Sequence, residues 1–420
     1  MYQVTRLPNG LIVATAEMPH MASVSLGLWV GVGGRHEPAE LNGVSHFIEH
    51  MMFKGTRRRS AKEVSQAVEG IGGYLNAFTS EENTCFYSKA RHDRMEELLD
   101  VLMDMLLNSK FAPNDIAKER DVIKEELAMY LDQPHHLVQE LLNSTLWPNH
   151  PLGRSLTGTE QTLDAMGRRE LLEYQRRCYV APITLVAAAG RLRHTQVVRA
   201  VRRYAGKVSA GSRPAFQPFA GRQTQVQVRL ERRKTAQTQI ALGIRACSRH
   251  DDRRYALRVL NTILGENMSS RLFQVVREDR GLAYAIQSSL SYFDDVGSMT
   301  ISAGLDADKL PEVLKLTLTE LRRCRREAPS ATELRRARDY LVGQLDLSLE
   351  STENQMNWIG EHLLTYGRIL SAAEVKQQLA EVTSTQVRRV AGEFIRTDGM
   401  SLAVVSPLKS ARGLADLLAV

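Results

Sequence analysis

Apolar and small or polar residues alternate in Ala22-Ser-Val-Ser-Leu-Gly-Leu-Trp-Val-Gly31, and Arg35-His36-Glu37 follows shortly after. The same order recurs as Ala236-Gln-Thr-Gln-Ile-Ala-Leu-Gly-Ile-Arg245, followed by Arg249-His250-Asp251. A period of two predicts a strand running into a polar turn in both places. Asp93-Arg-Met-Glu-Glu-Leu-Leu-Asp-Val-Leu-Met-Asp-Met-Leu106 matches Asp308-Lys-Leu-Pro-Glu-Val-Leu-Lys-Leu-Thr-Leu-Thr-Glu-Leu321 at helical period. Each of these helices leads to Ala-Pro and a polar residue, at Asn114 and Ser330. The offset between copies stays at about 214 to 218 residues, the signature of an internal duplication. Strand and helix patterns mix without strict βαβ order. The expectation is α+β, with two homologous domains, each an antiparallel sheet packed with helices.

Residues 206–221 are rich in Gly, Ser and Pro and lack periodicity, so they read as a linker. Domains are expected at 1–205 and 222–420. A length of 420 residues suits two or three domains, and 43% hydrophobic with 25% charged residues suits a globular protein. No apolar run has membrane-spanning length, and the first residues lack a signal-peptide layout. A cytoplasmic protein that does not engage the membrane is expected. Cys85, Cys178, Cys247 and Cys324 show no pairing or ligand spacing and read as reduced thiols. The net charge of +7 is spread over Arg57-Arg-Arg59, Arg232-Arg-Lys234 and Arg322-Arg323, which alternate with acidic residues; no nucleic acid partner is expected. Gly31-Val-Gly-Gly34 lacks the Lys-Ser/Thr of a phosphate loop and reads as a turn.

The chemistry concentrates in Asn42-Gly-Val-Ser-His-Phe-Ile-Glu-His-Met-Met-Phe53, read as a short helix with Asn42 as its cap. At 100° per residue, Val44, Phe47, Ile48 and Met51 form one apolar stripe, with His46 and His50 on the other side and Glu49 beside them. Two imidazoles one turn apart can hold one Zn²⁺, and Glu49 can take a proton from a water the ion activates. H-x-x-E-H arises by chance in roughly two of a hundred such chains, so a third ligand is needed to decide. The helix after Pro113 offers one. Ile116, Ile123, Leu127 and Tyr130 form its buried stripe, Glu119 and Glu126 lie along the edge, and Glu125 points away. A carboxylate on a buried edge needs a partner, which favours Glu126 over Glu125 as ligand, with Glu119 supporting the site. His92, His135, His136 and His150 lie outside any carboxylate pattern and read as structural or surface residues.

These residues resemble the M16 or pitrilysin family of metallopeptidases, the inverzincins, whose pattern is H-x-x-E-H and a glutamate ligand about 75 residues later. The similarity is greatest to the short two-domain branch that includes the β subunit of the mitochondrial processing peptidase. Glu126 fits the spacing, and Glu119-Arg-Asp-Val-Ile123 fits the accompanying signature. The resemblance implies zinc on His46, His50 and Glu126, Glu49 as general base and Glu119 in support. It implies that the stretch around Asn76 and Ala77 is an edge strand that binds substrate. It also implies that Arg277 and Tyr284, seven residues apart, reach across a cleft toward the scissile carbonyl. By contrast Arg271 and Arg280 read as a solvated face. The second half places Asn261 and Gly265 at the positions of His46 and His50, and Gln344 near that of Glu126, so it is expected to hold no metal. The function so implied is a zinc endopeptidase acting on peptides or unfolded segments, working as a homodimer. The rival is a non-catalytic assembly or chaperone-like subunit, and the complete ligand set argues against it.

Overall fold

Two mixed sheets account for all the long strands of the structure, a computed structural model describing residues 2–418. The first sheet contains β1 (Tyr2–Arg6), β2 (Ile12–Glu17), β3 (Ser23–Val30), β4 (Tyr74–Thr79), β5 (Thr84–Arg91) and β6 (Thr184–Gly190), in the order β1-β2-β6-β3-β5-β4. The second contains β7 (Gln227–Arg232), β8 (Thr238–Ala246), β9 (Ala283–Tyr292), β10 (Gly297–Leu305) and β11 (Met400–Ser406), in the order β7-β11-β8-β10-β9. The expectation of purely antiparallel sheets needs correction, because β2 pairs parallel with β6 and β7 parallel with β11. A parallel pair needs a long return path. Here each is closed by most of its half of the chain, a distance that local alternation does not report.

The strand β3 shows why the pattern misleads. Val24, Leu26, Leu28 and Val30 enter one core, as the alternation demands. The intervening positions, however, face a second core rather than water. Ser25 Oγ lies 2.9 Å from Thr352 Oγ1, and the Trp29 indole NH donates to Met356 Sδ at 3.3 Å. The covering helix is Thr352–Tyr366. It approaches so closely that a Cβ on Gly360 would lie 2.1 Å from the Trp29 ring.

Among the described residues the chain divides into two compact units. The first comprises residues up to Ala128, Arg154–Gln217 and Leu347–Leu370; the second comprises Met129–Gly153, Pro218–Asp346 and Ser371 onward. Helix Thr352–Tyr366, late in sequence, therefore belongs to the first unit. Its counterpart α5 (Pro134–Leu146) belongs to the second, where Leu142 and Leu146 pack on Gly243 of β8. The two helices start 218 residues apart, within the offset of the duplication, so equivalent helices have been exchanged. Boundaries at 205 and 222 miss this exchange, because an amphipathic helix shows that it covers a sheet but not which one. The segment 209–224 has neither helix nor strand, and the division falls within it. No helix among the described residues is long and apolar enough to cross a membrane.

Four helices complete the setting of the site in the first unit: α1 (Val44–Met52), α2 (Ala61–Glu69), α3 (Met95–Asn108) and α4 (Pro113–Asp132). Their apolar faces share one core with β3 and β5.

Candidate metal centre

The helix α1 buries Val44, Phe47, Ile48, Met51 and Met52 completely, which leaves His46, Glu49 and His50 half-buried on its other side. Asn42 is not its cap. The cap position is Gly43, in the left-handed region at φ 92°, and a Cβ there would meet the Thr157 carbonyl oxygen at 2.7 Å. The freed amides are taken instead by Glu37, which accepts from Gly43 N at 2.7 Å and Ser45 N at 2.9 Å. Asn42 donates to Glu37 at 3.1 Å and to the Ser155 carbonyl at 2.9 Å.

On α4, Ile116, Glu119, Ile123 and Leu127 are buried, Glu126 is half-buried and Glu125 is exposed. Tyr130, expected in the buried stripe, is half-buried and makes a T-shaped ring contact with His136. The long α4 brings Glu119 and Glu126, two turns apart, to the side of α1 that carries the histidines. His50 Nε2 lies 3.2 Å from His46 Nε2 and 3.5 Å from Glu126 Oε2, and His46 Nε2 lies 3.8 Å from the same oxygen. Ligand bonds of about 2.0–2.1 Å in a tetrahedron place neighbouring donors about 3.3 Å apart, so these three atoms fit a zinc ion. Among the described residues, no other group of three His, Cys, Asp or Glu comes together in this way.

The surrounding charges also suit a cation. Glu119 lies 2.9 Å from His50 Nδ1 and 2.6 Å from Lys54 Nζ. In the neutral form a metal requires, with Nδ1–H donated to Glu119, His50 presents a bare Nε2 toward the other two donors. Burial disfavours the charged form of His50, but the bonds to Glu119 and Glu126 outweigh it and push its pKa up to about 9. Burial and the neighbouring His50 push His46 down to about 4, keeping its imidazole neutral as a ligand must be. The site thus favours one positive charge among these side chains. Burial also pushes the Glu49 carboxyl up, opposed by a hydrogen bond from Thr79 Oγ1 at 2.5 Å.

Thr79 ends β4, which is the edge of its sheet and pairs only with β5. Asn76 on this strand is exposed and Ala77 half-buried; the Ala77 amide donates to Asn76 Oδ1 at 2.8 Å. In the second unit the Arg277 guanidinium lies over Phe273 at 4.7 Å and over Tyr284 at 5.7 Å, and Tyr284 is 79% exposed. The expected solvated face is wrong for Arg271, which is buried and bonds Glu333 at 2.9 Å. Arg280 is exposed and pairs with Glu312. Asn261 is buried and donates toward Glu266 and the Ser288 carbonyl, and a Cβ on Gly265 would collide with Ser288. Ser288 of β9 therefore packs against both of these positions.

Comparison with known proteins finds two family models along the chain. Residues 12–160 match the family described as insulinase (peptidase family M16), and residues 165–341 match the peptidase M16 inactive domain. An uncharacterized zinc protease of Streptomyces coelicolor is 40% identical over 96% of this chain and 89% of its own. The chain belongs to peptidase family M16. An uncharacterized zinc protease of Bacillus subtilis is 36% identical over 95% of this chain and 97% of its own. Two solved structures share the M16 fold at 19% identity: a protease from Helicobacter pylori (TM-score 0.89, 97% of this chain and 99% of that one) and a peptidase M16 inactive domain from Pseudomonas fluorescens (TM-score 0.90, with the same coverage).

Sequence reasoning missed three residues that touch the side chains of this centre or the helix that carries them. Lys54, four residues after His50, had a helical spacing that could have found it. Thr79 carries no such signal, because the tertiary fold brings it to α1, and Glu37 carries none, because the turn between it and α1 has no periodicity.

Proposed function

We propose that the chain is a zinc-dependent endopeptidase acting on peptides or unfolded segments. The observation that carries this reading is the convergence of His46 Nε2, His50 Nε2 and Glu126 Oε2, with Glu49 one residue from His50 on the same helix. When bound there, zinc supplies Lewis acidity toward water and the scissile carbonyl. Glu119 holds the His50 ring with Nε2 free, and Lys54 holds Glu119. Glu49 Oε accepts the proton of the attacking water and returns it to the departing amine nitrogen. Thr79 fixes which oxygen of Glu49 is available. The free edge of β4, with Asn76 and Ala77, offers main-chain pairing to an extended substrate, which disfavours folded proteins. By family resemblance, Arg277 and Tyr284 donate to the carbonyl oxygen as charge develops on it, and two chains pair as a homodimer.

Wild type and Glu49→Gln, assayed on an unstructured peptide alongside metal analysis, test the reading. The variant should keep zinc and lose about 10²- to 10⁴-fold in kcat. A zinc-loaded wild type that cleaves nothing would instead mark a non-catalytic assembly subunit.

A further inference from the structure

We propose that Glu37 is a positioning residue for the metal centre, setting the pose of the helix that carries His46, Glu49 and His50; this rests on the peptidase reading above. The residue is buried, with 3% of its surface exposed. It accepts three hydrogen bonds, from Ser45 N on Oε1 and from Gly43 N and Asn42 Nδ2 on Oε2. The first turn of α1 cannot be capped by its own cap residue, because Gly43 has no side chain and none fits there. The acceptor must come from elsewhere, and a negative charge at a helix N-terminus is the favourable choice.

The pinned amide of Ser45 adjoins His46, the first metal donor. The donor separations of 3.2 to 3.8 Å leave little room for α1 to tilt or slide before the set no longer fits one ion. Neighbouring contacts hold the same loop. Arg154 donates to the Glu37 carbonyl oxygen at 3.1 Å, and Thr162 Oγ1 to the Asn42 carbonyl at 2.8 Å. Burial pushes the Glu37 carboxyl up, yet two backbone amides and the Asn42 side-chain amide all donate to it, so the ionised form is the one they satisfy. A glutamine matches the shape but not the chemistry. Whichever way its amide turns, the NH₂ group faces a backbone N–H. Glu37→Gln therefore separates anchoring from packing.

The full-length chain is compared as wild type, Glu37→Gln and Glu37→Asp by zinc transfer to a chromogenic chelator, thermal unfolding, and kcat and KM on an unstructured peptide. Glu37→Gln is expected to weaken zinc binding about tenfold or more and to lower kcat with KM unchanged. Glu37→Asp, a shorter carboxylate, should restore part of both. Should the Gln variant fail to fold, the Asp variant decides by the same zinc and kcat readings. A folded variant with lowered Tm but wild-type zinc affinity and kcat would reduce Glu37 to a purely structural residue and overturn the proposal. A wild type that holds zinc but cleaves nothing sinks the peptidase reading alone, and the zinc transfer rates then decide Glu37.

Discussion

His50 and Glu119 show how much of the site is decided at single atoms. The bond from His50 Nδ1 to Glu119 fixes the tautomer, and Lys54 holds the second oxygen of the same carboxylate. Glu119→Gln should therefore weaken zinc binding by about 10- to 100-fold without unfolding the chain, as read by chelator competition. Unchanged affinity would remove Glu119 from the site. In the second unit, Tyr284 exposes its ring. If it donates to the developing oxyanion, Tyr284→Phe should lower kcat about 10²-fold and leave zinc content intact. A variant with wild-type kcat would end that assignment. At this scale the sequence was informative where chemistry repeats along one helix. The i, i+4 pair His46 and His50 was legible, and so was the choice of Glu126 over the exposed Glu125, because both follow from angles on a helix. Thr79 was not legible, because folding brings its partner to it from 30 residues away, and Glu37 was not, because the turn that returns it to Gly43 and Ser45 leaves no periodic mark.

Elements respond to groups that pin them. Arg58 and Arg59, just after α1, clamp Asp100 of α3 at 2.8 and 2.6 Å, and Tyr204 Oη donates to the same carboxylate at 2.7 Å. Burial works to raise the Asp100 pKa, but these bonds outweigh it and hold the carboxyl well below the usual range. A depressed folded-state pKa means that the unfolded chain binds the proton more readily. The stabilisation is complete above the unfolded value of about 3.9 and fades as pH falls through the folded value. Tm should drop as wild type is acidified below about pH 4, and Asp100→Asn should show a shallower drop over that interval. Equal slopes would contradict the linkage. Gly360 tests the packing of helix Thr352–Tyr366 on its sheet. An added methyl meets the fully buried Trp29 ring at 2.1 Å. Gly360→Ala should destabilise by about 1–3 kcal/mol in denaturant titration, and an unchanged midpoint would show that the helix can lift.

For the whole molecule, zinc is expected to link stability to activity. A ligand that binds only the folded chain stabilises it by about 2.7 kcal/mol at a hundred times its Kd. A chelator should lower Tm and abolish cleavage together, and added zinc should return both. Cleavage indifferent to chelation would sink the metallopeptidase reading. The sequence by itself determined the duplication, the α+β class and the helix bearing His46, Glu49 and His50, because each is a short-range periodicity that burial enforces on its own residues. The tertiary structure decided the parallel pairings, the exchange of α5 with helix Thr352–Tyr366, and the anchoring of α1 by Glu37. The first two join residues far apart in the chain, where packing selects one partner among several that the local pattern leaves equivalent; the third joins residues six and eight apart across a turn whose shape no periodicity reports.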